Sequence, residues 1–75
     1  MKTQKYKYLF RLDGGEHMLV YHATRPGDAE NCARKLAKLV AKREKVSEAV
    51  CIWKGPEEQK IPAEIREEIE KEAVS

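Results

Sequence analysis

From residue 4 onward the chain alternates. Tyr6, Tyr8, Phe10 and Leu12 point one way, and Lys5, Lys7, Leu9 and Arg11 point the other. A period of two is what a strand imposes and a helix cannot use. A second β-prone run reaches Thr24 after Asp13-Gly14-Gly15-Glu16, so residues 4–24 predict one β-hairpin. Gly14-Gly15 reads as a two-residue loop, because both central positions can take positive φ. That loop sets Phe10 opposite Leu19, Tyr8 opposite Tyr21 and Tyr6 opposite Ala23. It pairs Arg11 with Met18, Leu9 with Val20 and Lys7 with His22. A slip of one residue would instead put Met18, Val20 and His22 beside the tyrosines. The first register gathers the larger apolar set on one side and is the expected one.

Arg25-Pro26-Gly27-Asp28 breaks the strand pattern. Asp28 suits the N-cap of a helix over about Ala29 to Glu44, and Glu30 suits its positive end. Cys32, Ala33, Leu36, Leu39 and Val40 recur at helical spacing as one apolar stripe. Arg34, Lys35, Lys38, Lys42 and Lys45 fall on the opposite arc, with Glu30 placed to pair with Arg34. Ala49 to Lys54 reads as a third, well-buried strand that Gly55-Pro56 stops. Pro62 fits the first position of a second helix. Ile61, Ile65, Ile69 and Ala73 give that helix a narrow apolar stripe among glutamates.

The predicted order is ββαβα. The second strand, first helix and third strand make a crossover unit, so those two strands run parallel, with the first strand between them. The expected fold class is α+β: a three-stranded sheet in the order 2-1-3 with two helices. Residues 1–75 form a single domain, with a ββαβ body over 4–54 and an acidic C-terminal helix over 62–74. Met1 to Thr3 reads as a loose end.

Charge sharpens this picture. The net charge of +2 hides a basic body and an acidic end. Residues 1–54 carry 12 Lys and Arg against 6 Asp and Glu, a net of +6, whereas residues 55–75 carry 3 against 7, a net of −4. No apolar run approaches the roughly 18 residues of a membrane span, and no signal-peptide pattern opens the chain. With two cysteines the expectation is a cytoplasmic protein without a disulfide framework.

Candidate chemistry is sparse. His17 and His22 lie five apart on one strand and so point to opposite faces, a poor geometry for a shared metal, with His22 on the mixed face. Cys32 and Cys51 read as small buried hydrophobes, and no base for either can be placed by spacing. No paired carboxylates sit in an apolar setting, and no Lys-Ser or Lys-Thr follows Gly14-Gly15 to cradle a phosphate. The expectation is a non-enzyme without metal or cofactor.

Three functional readings follow. The first is a small protein-binding module that acts stoichiometrically, through the acidic second helix or through the mixed hairpin face. There Leu9, Met18, Val20 and Trp53 form an apolar patch among Lys7 and Arg11, residue types that protein contacts favour. In size and strand–helix order the chain resembles the small proteins with which phages and other mobile elements inhibit host defence, anti-CRISPR proteins among them. That resemblance is one of architecture and transfers no residue. The alternative is a nucleic-acid-binding module that uses Lys5, Lys7, Arg11, Arg34, Lys35, Lys38 and Lys42 against phosphates. Aromatic stacking is not expected in it, since the tyrosines fall on the helix-covered face. The third reading is a homodimeric structural subunit.

Overall fold

The computed structural model describes residues 3–74, with side chains to Lys71. Met1 and Lys2 of the expected loose end, and the Ala73 side chain of the expected stripe, lie outside them. The elements are β1 (Gln4–Leu12), β2 (His17–Thr24), α1 (Ala29–Arg43), β3 (Ala49–Pro56) and α2 (Ala63–Val74), with a 3-10 turn over Pro26–Asp28. The sheet order is β2-β1-β3, with β1 antiparallel to both neighbours. β2 and β3 are therefore parallel, as a crossover through α1 requires. The expected α+β architecture is the observed one.

The hairpin register differs from the expected one by a single residue. Tyr8 faces Val20, Phe10 faces Met18 and Tyr6 faces His22. The cause is a longer loop. The Leu12 amide donates to the Glu16 carbonyl at 2.7 Å and the Gly15 amide to the Leu12 carbonyl at 3.0 Å, so Asp13, Gly14 and Gly15 all lie in the turn. Gly14 and Gly15 have φ of 107° and 93°, which side chains resist. The loop is tied down from outside, by the Asp13 amide on the Glu48 carbonyl and by Ser47 Oγ donating to Asp13 Oδ2. Because strand side chains alternate, three loop residues in place of two exchange the faces of β2. Met18, Val20 and His22 join the helix-covered side, and Leu19 and Tyr21 turn to the other.

A second irregularity sits in β3. Leu9 pairs with Trp53 but Phe10 with Cys51, so Ile52 is the extra residue of a β-bulge. Strict alternation from Cys51 would send Trp53 towards α1; the bulge turns it to the opposite face. β3 also runs two residues past its expected end. Gly55 and Pro56 pair with Lys7 and Tyr6, and the Glu57 amide donates to the Lys5 carbonyl at 2.9 Å. The Pro56 nitrogen then points to the free edge, where no donor is needed. As an edge strand β3 is half-buried along most of its length and not the well-buried strand expected; Val50 is 41% exposed.

α1 covers one face. Tyr8 and Phe10 are fully buried beneath it, with Leu12, Ala33, Leu36, Val40 and Ala49. Leu39 does not share that stripe and is 62% exposed. Ala37 and Ala41 pack against the core in its place, so the buried arc is turned from the expected one and Leu39 falls at its margin. Asp28 occupies the N-cap but accepts from Asn31 Nδ2 at 3.1 Å instead of from the helix backbone. The far end closes as a Schellman motif: the Val46 amide reaches the Ala41 carbonyl and the Lys45 amide the Lys42 carbonyl. Lys45 thus sits at φ 57° as the helix terminator, not on its basic arc. Glu30 pairs across to Lys54 Nζ at 3.1 Å, not to Arg34.

The molecule measures 44 × 28 × 14 Å. Layers pack about 10 Å apart and a helix adds a radius of about 2.3 Å, so the shortest dimension holds one sheet and one helical layer. α2 lengthens the molecule and does not add a layer over the second face. Ile65 and Ile69 of α2, and Ile61 just before it, are half-buried.

Candidate functional site: the open face of the sheet

The face away from α1 carries Lys5, Lys7, Leu9 and Arg11 from β1. Facing them are Ala23, Tyr21, Leu19 and His17 from β2, and Gly55, Trp53 and Val50 from β3. Leu9 lies at the centre, 3% exposed, between Leu19 and Trp53. Tyr21 is 48% exposed and Leu19 37%. The strand positions of this face hold lysine and arginine but no carboxylate.

Trp53 and Gly55 form a matched pair. A Cβ on Gly55 would lie 3.0 Å from two atoms of the indole six-membered ring. Glycine there lets the ring rest against the strand. Lys7 Nζ stands 5.8 Å from the ring centroid, a cation–π distance. Lys7 is also directly opposite Tyr21 on its other side. One row across the sheet therefore reads phenol, ammonium, indole, spanning about 10 Å at the usual strand spacing.

The sequence-expected sites are divided by this geometry. Leu9, Trp53, Lys7 and Arg11 do share the open face. Met18 and Val20 do not: they are half-buried against the α1 core, moved there by the three-residue loop. Leu19 and Tyr21 take their places, and the β2 sequence, apolar on both faces, gives no sign of which pair is exposed. The nucleic-acid set is likewise split. Lys5, Lys7 and Arg11 lie on the open face, whereas Arg34, Lys35, Lys38 and Lys42 are exposed on α1, the layer covering the opposite face. One flat ligand cannot meet both groups.

Among the described residues no cluster of three or more His, Cys, Asp and Glu could hold a metal. His22 faces Tyr6 on the helix side and not the mixed face expected of it. No helix among them is long and apolar enough to cross a membrane. Both cysteines are free thiols. Burial pushes the Cys51 thiol up, and its Sγ donates to the Trp53 carbonyl at 3.3 Å. Burial likewise raises the Tyr8 hydroxyl to about 12, and that hydroxyl lies 2.5 Å from Thr24 Oγ1.

No protein-family model, no curated protein and no solved structure matches this chain.

Proposed function

We propose that the chain is a non-catalytic cytoplasmic binding module that takes single-stranded nucleic acid on the open face of its sheet. Tyr21 and the Trp53 indole act as stacking surfaces, and Lys5, Lys7 and Arg11 meet the phosphates. The observation that carries this reading is the Tyr21–Lys7–Trp53 row, with the indole seated on Gly55 and Lys7 5.8 Å from its centroid. Aromatic rings on an open, cationic sheet are what strand binders use, because every base has a π-face and every nucleotide a charge. The α1 arc is then a solvated helix surface.

The test is fluorescence anisotropy of labelled single-stranded RNA, single-stranded DNA and duplex DNA at low and near-physiological salt. Single strands bind, and the affinity falls steeply with salt. Tyr21→Ala and Trp53→Ala each weaken binding by about tenfold, since a stacked base is worth about 1–3 kcal/mol. Lys38→Glu with Lys42→Glu leaves it unchanged. If the helix reversals abolish binding and Tyr21→Ala does not, phosphates meet α1 and the sheet reading is wrong.

A second reading rests on the aliphatic part of the same face. Leu19 and Val50 stay exposed beside Leu9 and offer nothing to a nucleotide, but they fit a protein surface with an acidic rim. A stoichiometric inhibitor, such as mobile elements make, would work this way. Absence of nucleic-acid binding at low salt favours it, and Leu19→Asp and Val50→Asp then abolish capture of the partner while the protein stays folded. Light scattering at two concentrations tells a second copy of the chain from a foreign partner.

A further inference from the structure

We propose that Cys32 is a modification site: a thiol primed by His22 for exchange with small disulfides that carry carboxylates. Spacing alone offers no base for this cysteine, yet the fold supplies one. Cys32 Sγ lies 3.6 Å from His22 Nδ1, and Thr24 Oγ1 donates to the same sulfur at 3.3 Å. Thr24 Oγ1 lies 2.5 Å from the Tyr8 hydroxyl and also reaches the His22 carbonyl at 3.4 Å. A developing thiolate thus meets two donors, the threonine hydroxyl and the imidazolium. The sulfur borders an open recess of about 310 Å³ lined by His22, Arg25, Asp28 and Lys35. Two cations against one carboxylate set its preference for an anionic reagent.

The step balances without a further oxidant. His22 Nδ1 takes the Cys32 proton, and the thiolate attacks one sulfur of the small disulfide. The old S–S bond breaks as the Cys32–S bond forms, and the departing thiolate takes the proton back from His22. The protein thiol is oxidised to a mixed disulfide while half of the reagent is reduced to a free thiol. Cys51 is the internal control, because its Sγ donates to the Trp53 carbonyl and has no base beside it. The titratable and charged groups that face Cys32 are Tyr8 from β1, His22 from β2, Arg25 and Asp28 from the connection, and Lys35 from α1.

The reduced full-length chain is mixed with oxidised glutathione or with cystamine, and the modified cysteine is mapped by mass spectrometry, with the chain in guanidinium as reference. Cys32 reacts about tenfold faster than Cys51, and the glutathione disulfide is favoured over cystamine relative to the unfolded reference. His22→Asn slows Cys32 by about tenfold near pH 7 while the circular dichroism spectrum stays that of the parent. Lys35→Glu reverses the reagent preference. Equal rates at the two cysteines, or a His22→Asn rate equal to the parent's, overturns the proposal. An unchanged reagent ratio in Lys35→Glu overturns its anionic part.

Discussion

The two faces of this sheet are made from the same strands and have opposite characters. Under α1 the central side chains Tyr8 and Phe10 are fully buried and the buried polar atoms are satisfied: Tyr8 reaches Thr24, and no buried side-chain nitrogen or oxygen among the described residues lacks a partner. On the open face Leu9 is sealed by its neighbours, while an aromatic ring and two aliphatic side chains stay in solvent between cations. The covered face therefore carries the stability, and the open face is free to carry recognition. Two departures from regular pairing decide this division. The three-residue loop brings Tyr21 to the open face, and the β3 bulge brings Trp53 there. A bulge that re-aims one side chain beside a binding surface is a known use of such a defect.

The sharpest way to break the comparison is to truncate one aromatic on each face. Phe10→Ala lowers stability by about 3–5 kcal/mol, because a fully buried ring leaves a cavity. Tyr21→Ala costs under about 0.5 kcal/mol, because its ring is half in solvent. Urea titration of both variants measures the difference, and equal losses would erase the distinction between the faces.

The next effect is a pH dependence confined to the covered face. Burial holds the Tyr8 hydroxyl near 12, above its ordinary value of 10, so the folded state keeps the proton longer than the unfolded state does. The stabilisation is fully present below about pH 10 and is lost as pH rises towards 12, with a slope of at most about 1.4 kcal/mol per pH unit. Tyr8→Phe removes that slope from a series of melts between those limits, and Tyr21→Phe does not.

Gly55→Ala tests the open face by overpacking. The new methyl meets the indole at 3.0 Å and displaces it, at a cost of about 1 kcal/mol, with a shifted tryptophan emission and weaker strand binding. An unchanged emission spectrum would mean that the ring does not rest on Gly55. The smallest effect lies on neither face. Lys45→Gly relieves the left-handed backbone at φ 57° and raises stability by about 1 kcal/mol or less, read as a higher melting temperature.

Much of this fold can be read from residue order. The alternation from Tyr6 to Leu12, the Pro26-Gly27 break, the Ala29 helix and the crossover to Ala49 lead to the sheet order 2-1-3. The site was less legible, for a definite reason. Both faces of β2 are apolar, so counting hydrophobic residues could not choose between Met18-Val20 and Leu19-Tyr21. The choice rests on whether Asp13 belongs to the strand or to the turn, and Asp13 is held in the turn by Ser47 and Glu48, more than thirty residues away. The same holds for Cys32 and His22. Nothing in their sequence spacing joins them, and only the packing of α1 beside β2 does. Leu39 shows the opposite failure: periodicity placed it in the stripe, but packing followed the smaller alanines.

Pro56 has a consequence for self-association. The two outer rims of a sheet are templates on which another chain can add a strand. On β3 that rim is spoiled where Pro56 offers no N–H, and the Ile52 bulge twists it further. On β2 the amides of Leu19, Tyr21 and Ala23 point outward, on a strand that holds no proline or lysine. Sheet growth in heated or concentrated samples is therefore one-sided. An added strand would enter at the β2 rim, the one whose strand carries no proline.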